Sequence, residues 1–410
     1  MDPLIEASRI LFVTSTSLAT NPRLVKEVEL ALESGYQPAV AFFEFENWSK
    51  PLNDTIIARW NGDVEMIGLK FPLRYSIKWW SLGIRSLLAG LFRHLGERNK
   101  WLPLSDKRAM LLHDRLNSCT EPFDLIIAHN PGAIYPAFAL SEKRRAMFAF
   151  DIEDYHPGES VNKAEQNHMR QIFQAYLKSC RYLSAASPLI LDRTLTDILH
   201  YNGSKCVVLN GFAEAEFPPP REIGGKMKLV WFSQYIDKGR GLEWVLDALK
   251  VFGDNIELHL YGNLREDFFR DKLATLTNIV IHEPIPQPAL NAELSNYDIG
   301  LAFEDRNANF NRDICLTNKI IAYMQSGLFV LASNTSAQKA FIEQNQESGM
   351  IVDLDGPDII EKIGFLLDRL SDLRQQKNAR HAYGSRYSWE NESKKIRLIW
   401  DRLLKNERYS

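Results

Sequence analysis

The sequence predicts an α/β protein made of two halves, each a parallel sheet covered by helices, with a ligand cleft at the carboxyl ends of the strands. The first observation is a βα start, in which an apolar run at 9–14 is followed by Asn21-Pro22, the N-cap and first position of a helix. The second is a segment rich in proline and glycine at 218–226. The third is that strand and helix patterns alternate again after this segment, as expected for a second domain.

Composition narrows the class of protein. The chain has 410 residues, of which 45% are hydrophobic and 25% charged, so we expect two globular domains and exclude a disordered chain or a small disulfide scaffold. The formal net charge of -3 argues against a protein that coats nucleic acid. The four cysteines form no CxxC pair, which favours free thiols over a zinc site. No signal peptide or membrane-spanning run is visible, so the expected location is cytoplasmic.

Short apolar runs bounded by turn residues predict the strands of both sheets. In the first half they are 9–14, 38–43, 124–128, 146–150, 182–186 and 206–209. In the second half they are 228–232, 256–261, 279–282, 299–303 and 329–333. Predicted helices include 22–34, 242–252, 266–274 and 319–326. The predicted domains are therefore 1–217 and 227–388, joined by a linker at 218–226.

Two common phosphate-binding motifs are missing from the sequence. No G-x-G-x-x-G follows the first strand and no G-x-x-x-x-G-K-[ST] occurs, which argues against a dinucleotide dehydrogenase and a P-loop NTPase. The loop at 14–21 instead places hydroxyl groups before a helix N-terminus. These groups either hold a phosphate or sugar or only cap the helix and shape the turn.

Polar residues also follow two strands of the second half. Lys238 and Arg240 lie in a glycine-containing loop before a helix, where two cations suit a diphosphate, and the alternative is a solvated loop. The segment 304–318 concentrates polar residues between a strand and a helix, which is typical of a hydrogen-bonding rim rather than a core.

A series of short motifs extends along nearly the whole chain. They are Asn21-Pro22-Arg23, 124–129, 151–157, 186–188, 208–211, 238–241, 316–319, 327–333, 349–353 and 387–390. In order and spacing the chain resembles retaining glycosyltransferases of the GT-B fold, close to glycosyltransferase family 4 (glycosyl transferases group 1). The resemblance implies two Rossmann-like domains facing each other across a cleft. It places the acceptor in the N-terminal half and a nucleotide-sugar donor in the C-terminal half, and a last helix, within 389–410, crosses back to the first domain.

The resemblance also implies which residues bind the donor diphosphate. Family members place an Arg and a Lys there, the Lys just before a Gly and a helix. Arg240 fits the Lys position, with Lys238 beside it, and Ser233 or Gln234 stands at the Arg position.

The family's paired glutamates, E-x7-E, which contact the donor sugar and the nucleotide ribose, are absent here. Their positions fall on Ile314 and Ala322. The donor sugar and nucleoside are therefore assigned to polar residues nearby. These are Glu304, Asp313, Asn318 and Lys319.

The catalytic residues implied by the resemblance follow strands of the first half. The family histidine near the anomeric centre maps to His129, and Asp151 and His156 follow the next strand; such groups orient or deprotonate an acceptor hydroxyl. A structural histidine is the alternative for His129. The acceptor loop is assigned to Ser17, Asn21, Arg23 and Glu153. Front-face transfer with retention then needs no cofactor and no obligatory metal, because Lys238, Arg240 and helix N-termini neutralise the leaving group.

The segment 70–115 differs from the rest of the chain in charge. It carries ten Lys and Arg against three acidic residues, interleaved with Trp79, Trp80, Trp101 and several aliphatic residues. This pattern suits an anionic membrane surface, and with it a lipid-linked acceptor at the inner face of the cell membrane. A helical insertion packed on the first domain is an equal alternative, and RNA binding is a weaker third.

The resemblance implies a glycosyltransferase, and our leading hypothesis is one that extends a surface polysaccharide or a lipid-linked glycan. A nucleotide-sugar 2-epimerase of the same fold is one alternative. A catalytically inactive scaffold that binds sugar nucleotides is the other, and Ala322 in place of the family glutamate is the reason to consider it.

Overall fold

The computed structural model describes residues 7–72, 74, 76–92, 106–237, 241–265 and 276–406. The chain divides into two compact units, of which the first is Met1–Val208 with Ser393–Ser410 and the second is Leu209–Glu392. The division thus falls before the predicted linker at 218–226, which belongs to the second unit.

The first unit contains a seven-stranded sheet whose paired strands are all parallel. Its strands are β1 (Arg9–Thr14), β2 (Gln37–Glu44), β3 (Glu65–Lys70), β4 (Leu125–His129), β5 (Met147–Ile152), β6 (Tyr182–Ala185) and β7 (Ser204–Val207), in the order β3-β2-β1-β4-β5-β6-β7. Its helices include α1 (Pro22–Glu33), α2 (Lys50–Arg59), α3 (Ile77–Phe92), α4 (Lys107–Asn117), α5 (Pro131–Arg144), α6 (Lys163–Tyr176) and α7 (Pro188–Ile198).

The start of α1 confirms the capping prediction. The Asn21 side chain accepts a hydrogen bond from the backbone N–H of Leu24, and Pro22 occupies the first turn. The edge strand β3 was not predicted from the sequence. Its residues alternate between exposed and buried, and Gly68 interrupts the run, so the apolar signal is too short to recognise.

The second unit contains a six-stranded sheet whose paired strands are again all parallel. Its strands are β8 (Met227–Ile236), β9 (Ile256–Leu264), β10 (Ile279–His282), β11 (Ile299–Ala302), β12 (Phe329–Ser333) and β13 (Gly349–Val352), in the order β10-β9-β8-β11-β12-β13. The helices of its described residues include α8 (Leu242–Phe252), α9 (Gln287–Glu293), α10 (Phe310–Ile314), α11 (Asn318–Gln325), α12 (Ser336–Glu343), α13 (Gly356–Asp368), α14 (Leu370–Gln375), α15 (Lys377–Gly384) and α16 (Trp389–Asn406), whose residues from Ser393 onward belong to the first unit.

Three sequence predictions in the second unit differ from the structure or lie beyond its description. β8 continues past its predicted end at Phe232 to Ile236, with a register shift before Tyr235. The polar segment after β11 contains the short helix α10, capped by the side chain of Asn309. The helix predicted at 266–274 lies outside the described residues.

The last helix, α16, supplies core residues to the first unit. Trp400 is fully buried, packs edge-on against Phe12 and Tyr36, and donates from Nε1 to the Tyr182 hydroxyl at 3.0 Å. The Tyr36 hydroxyl in turn donates to Asp401 at 2.7 Å. The four cysteines are free, two of them buried and two half-buried.

Two histidines on β9 and β10 share a hydrogen bond in the second unit. Nδ1 of His259 lies 2.9 Å from Nε2 of His282, and the two rings stack. Burial lowers the pKa of both imidazoles, and for His282 the neighbouring His259 lowers it further. The charged and phenolic groups that face this pair are Glu257, Lys228, Glu293, Tyr261 and Tyr297.

Replacing His282 is expected to change how stability depends on pH. A depressed histidine pKa means that the folded state binds fewer protons, so stability is highest above the unfolded pKa of about 6.5 and falls as the pH drops through it. His282→Gln is expected to flatten this decline when urea unfolding is compared at about pH 7.5 and about pH 5.5. His200→Gln, the same change at an exposed position outside this pair, is the control. An unaltered slope in His282→Gln would contradict the prediction.

Candidate functional site

Register places a row of polar side chains at the carboxyl edge of the first sheet. Thr14 is opposite His129, His129 is opposite Asp151, and Asp151 is opposite Ser184, each on a neighbouring strand. Because parallel strands end at the same edge of a sheet, loops from several elements meet these residues there. The predicted catalytic residues His129 and Asp151 are therefore adjacent.

Arg23 and Asp151 form a buried ion pair at this edge. The guanidinium donates from Nε and Nη2 to the two carboxylate oxygens at 2.5 and 2.8 Å, and Ser184 Oγ donates to Oδ1 at 2.5 Å. Burial opposes ionisation of Asp151, but the Arg23 charge outweighs it and holds the pKa of the carboxyl below its usual range. Arg23 also donates from Nη1 to the carbonyl of Val208 at 2.7 Å, where the first unit ends.

His129 lies between two carboxylates in the same cluster. Its Nε2 is 3.5 Å from Glu27 and its Nδ1 is 3.7 Å from Asp151, and both side chains of the Glu27–His129 pair are buried. Burial lowers the pKa of His129, but Glu27 and then Asp151 outweigh it and raise the pKa overall. Burial, and then Asp151, raise the pKa of Glu27. The raised pKa values of His129 and Glu27 both favour the protonated forms of these side chains beside the Arg23–Asp151 pair.

Glu27, His129 and Asp151 each offer one ligand atom within 4.8 Å of the others, a spacing that could hold a metal ion. Both Asp151 oxygens already accept hydrogen bonds from Arg23, and His129 turns a different nitrogen to each carboxylate. A cation there would displace Arg23 from a buried position. The donor set fits a cluster of buried ion pairs better than a metal.

Glu153 and His156 occupy the loop after β5. Glu153 is half-buried, and burial together with the neighbouring Asp154 raises its pKa to about 7. A carboxyl with that pKa exchanges a proton near neutral pH, as a general base requires. His156 is half-buried and its Nδ1 lies 2.7 Å from Glu159.

The hydroxyl-rich loop of the first unit is closed by its own hydrogen bonds. Ser17 Oγ lies 3.0 Å from Thr20 Oγ1, and Asn21 donates to Thr14 Oγ1 at 3.3 Å while capping α1. Ser17 and Asn21 are both buried. These contacts favour the capping interpretation of the loop, and the predicted acceptor roles of Ser17 and Asn21 stay predictions.

The second unit has a pocket of about 460 Å³ at the carboxyl ends of its strands. Glu304 follows β11, Asn334 follows β12 and Asp353 follows β13, and Asn334 donates to Asp353 at 2.9 Å. The lining residues are Gly241, Glu243, Trp244, Glu304, Asp305, Arg306, Asn307, Ser333, Asn334, Asp353 and Leu354. Carboxylates and amides of this kind suit the hydroxyl groups of a sugar or a ribose.

Glu304 is held in the pocket wall by a buried ion pair. Lys319 Nζ donates to one carboxylate oxygen at 2.5 Å, and Arg312 lies 3.5 Å from the other. The Lys319 ammonium also lies over the ring of Trp231 at 5.5 Å. Two of the predicted donor residues, Glu304 and Lys319, thus form one unit.

The other two predicted donor residues are engaged elsewhere. Asp313 accepts from the backbone N–H and the hydroxyl of Ser336 at 2.9 and 2.6 Å, at the start of α12. Asn318 begins α11 and accepts from Asn210 at 3.1 Å. Neither residue lines the described pocket.

The positions of the family glutamates are closed to solvent. Ile314 is 5% exposed and Ala322 is fully buried. Within the described residues the carboxylates that reach the pocket come instead from Glu243, Glu304, Asp305 and Asp353.

The predicted diphosphate residues are only partly covered by the structure. Lys238 and Arg240 lie outside the described residues, and Ser233 is half-buried at the register shift of β8. Gly241, directly after them, begins α8 with a φ of +80° and lines the pocket. A Cβ at Gly241 would lie 2.9 Å from the side chain of Leu354. Glycine therefore suits this position, because it has no Cβ and adopts a positive φ without strain.

Sequence reasoning missed several residues of both sites. Glu27 lies four positions after Arg23, and this spacing on one helix face was an available signal for the buried cluster. Trp244 and Asp353 line the pocket from elements far apart in the chain, and although Asp353 ends the motif at 349–353, neither residue was assigned a role at the site.

Comparisons with known proteins identify the fold. No protein-family model matches the chain, and no curated protein matches it. A glycosyltransferase from Rickettsia africae is similar in structure with a TM-score of 0.64 at 13% identity, covering 98% of this chain and 100% of that one. Sucrose-phosphate synthase from Thermosynechococcus elongatus gives a TM-score of 0.63 at 13% identity, covering 97% and 100%.

A third similar structure contains a ligand. HepE from Anabaena, in complex with UDP, gives a TM-score of 0.61 at 14% identity, covering 95% of this chain and 98% of that one. A further structure of HepE contains UDP-glucose. With its two parallel sheets the chain matches GT-B structures, which confirms the predicted fold class.

Proposed function

We propose that this protein is a retaining glycosyltransferase that moves a sugar from a nucleotide-sugar to a glycan or a lipid-linked acceptor, in surface polysaccharide biosynthesis. The observation that carries the proposal is the carboxylate-lined pocket at the strand ends of the second unit, in a chain of GT-B fold. UDP-glucose is the first donor to test, because HepE has been solved with it.

In the second unit, the donor sugar and ribose hydroxyls donate to Glu304, Asp305 and Asp353. The described lining of the pocket carries four carboxylates against Arg306, which disfavours a diphosphate by itself. The proposal therefore places the diphosphate on Lys238 and Arg240, next to Gly241 and the N-terminus of α8. The same cations stabilise the negative charge that develops on the leaving diphosphate.

In the first unit, Glu153 receives the acceptor. Its pKa of about 7 lets the carboxylate accept a proton or a hydrogen bond from an acceptor hydroxyl near neutral pH. His129 is 2% exposed, so its proposed part is to position Asp151 and Arg23 rather than to touch substrate.

Crowding the start of α8 is expected to weaken donor binding. Gly241→Ala places a methyl group 2.9 Å from Leu354 and at the pocket wall, so we expect the Kd for UDP-glucose to rise at least about ten-fold in calorimetry. Gly253→Ala is the matched control, because Gly253 lies at the other end of α8, also has a positive φ, and has open space around its Cβ. Equal affinities of the two variants for UDP-glucose would show that Gly241 does not line the donor site.

An inactive sugar-nucleotide scaffold is the second candidate. It is favoured by the buried Ala322 and Ile314 at the positions where the resemblance expects two glutamates. Such a protein would bind a nucleotide-sugar and leave it intact.

The experiment that tests the proposal measures nucleotide release from a panel of nucleotide-sugars, with and without an extract of bacterial lipid acceptors. A glycosyltransferase releases nucleotide in an acceptor-dependent way and forms a glycosylated product whose anomeric configuration reports retention. Conversion of the free nucleotide-sugar to its 2-epimer without acceptor would identify the epimerase instead. Binding without release from any member of the panel would support the scaffold.

A further inference from the structure

Helix α3 of the first unit presents a bulky apolar face to solvent. The described part of the chain has eighteen exposed large hydrophobic side chains, and six of them lie on α3. The exposed fractions are Ile77 91%, Trp80 61%, Ile84 60%, Leu87 67%, Leu88 42% and Leu91 61%. At 3.6 residues per turn these positions form one continuous stripe along the helix.

The opposite face of α3 is fixed to the body of the first unit. Leu82 and Ala89 are 1% exposed. Trp79 packs edge-on against Phe71, and the Lys107 ammonium lies 3.7 Å from the centre of its ring. These contacts set the rotation of the helix, so the apolar stripe faces outward because the other side is already packed.

The charge around the stripe is predominantly positive. The helix sequence contains Lys78 and Arg85 and no acidic residue. In the described parts of 70–115 there are seven basic residues against Asp106 and Asp114, of which Asp114 pairs with Arg85. The residues Arg93, Glu97, Arg98, Lys100 and Trp101 of the predicted basic segment lie outside the described residues.

The length and charge of α3 match a helix that lies in the plane of a membrane interface. Sixteen residues extend about 24 Å, less than the ~30 Å hydrocarbon core of a bilayer. Among the described residues, no helix has the length and apolarity to cross a membrane. A helix with a bulky apolar stripe, a tryptophan and flanking cations instead places its stripe among the headgroups and upper acyl chains.

We propose that the outward stripe of α3 docks this protein onto an anionic lipid surface. The positive charge beside the stripe favours anionic lipid over a second copy of the chain as the partner. A symmetric pairing of two α3 stripes would bring together two segments of net positive charge, seven basic against two acidic described residues in each, whereas anionic headgroups complement that charge. The alternative interpretation, a helical insertion packed on the first domain, accounts for only one side of α3, because the other side is exposed.

The inference goes beyond the proposed function and uses it only to explain what docking achieves. An enzyme bound to the membrane encounters a lipid-linked acceptor by diffusion within the membrane plane. The helix α3 belongs to the first unit, to which the acceptor is assigned. Binding to vesicles involves neither donor nor acceptor, so the docking experiment and the nucleotide-release assay fail independently.

The test is co-sedimentation of the full chain with vesicles. We expect wild type to bind vesicles of phosphatidylcholine with about 30% phosphatidylglycerol at least about ten-fold more tightly than pure phosphatidylcholine, with the difference reduced by salt. Leu87→Glu/Leu91→Glu removes two stripe side chains and adds two negative charges, and is expected to weaken binding at least about 100-fold. Leu398→Glu on α16 is the matched control, because Leu398 is 64% exposed outside the stripe, and it should bind as wild type.

Three results of the vesicle experiment would overturn the proposal. They are failure of wild type to bind anionic vesicles, equal binding to neutral and anionic vesicles, and unchanged binding by Leu87→Glu/Leu91→Glu. Circular dichroism of the double variant establishes that it is folded before its binding is compared. A wild-type dimer in size-exclusion chromatography that dissociates in the double variant would assign the stripe to a second copy of the chain instead.

Discussion

Asp151→Ala is expected to lower the free energy of unfolding of the first unit by about 3–5 kcal/mol, the usual cost of leaving a buried charge without its partner. Arg23 is 3% exposed and loses both of its carboxylate contacts in this variant. Urea unfolding followed by circular dichroism measures the loss, which should be confined to the transition of the first unit. Because the pKa of Asp151 lies below its usual value, the contribution persists above about pH 4 and is lost only in stronger acid.

The control for this prediction is an ion pair on the surface of the same unit. Asp114 pairs with Arg85 at 2.7 Å, but both side chains are about half exposed. Asp114→Ala is therefore expected to cost less than about 1 kcal/mol. Comparable losses in the two variants would mean that the Arg23–Asp151 pair is solvated in the protein and not buried as described.

The Glu304–Lys319 pair allows structure and ligand binding to be separated. Glu304→Leu leaves the ammonium of Lys319 buried without its main partner and is expected to cost about 3–5 kcal/mol in the second unit. Glu304→Leu/Lys319→Met replaces the pair with apolar side chains of similar size, so its stability should return to within about 1 kcal/mol of wild type. Urea unfolding of the three proteins tests this order.

The same double variant reports on the role of Glu304 in the pocket. If Glu304 accepts hydrogen bonds from the nucleotide-sugar, the folded double variant should bind UDP-glucose at least about ten-fold more weakly than wild type, as measured by calorimetry. Wild-type affinity in a stable double variant would show that Glu304 only supports the pocket wall.

The local elements near the sites followed from the sequence because local chemistry determines them. Asn21-Pro22 located the start of α1, and the run at 329–333 gave β12 with its observed bounds. His129 and Asp151 were expected to follow successive strands, and the strand register places them opposite each other. The alternation of strand and helix patterns along the sequence was enough to predict the α/β class.

Burial and pairing at the sites did not follow from the sequence because they depend on contacts between distant segments. His129 was expected near an acceptor, yet α1 brings Glu27 against it and leaves its side chain 2% exposed. Asp313 was expected at the donor, yet it accepts hydrogen bonds from Ser336, which lies beyond α11 and β12. The exposure of the α3 stripe depended likewise on which helix face packs against the unit.

Hydrogen exchange of the full chain with saturating UDP-glucose tests the central claim most directly, because it reports where the donor binds. We expect slower exchange in peptides covering 303–307, 333–334 and 353–354 of the second unit, which form the pocket, and no change in α3. Protection confined to the first unit, or no protection anywhere with any nucleotide-sugar of the panel, would contradict a donor site in the second-unit pocket.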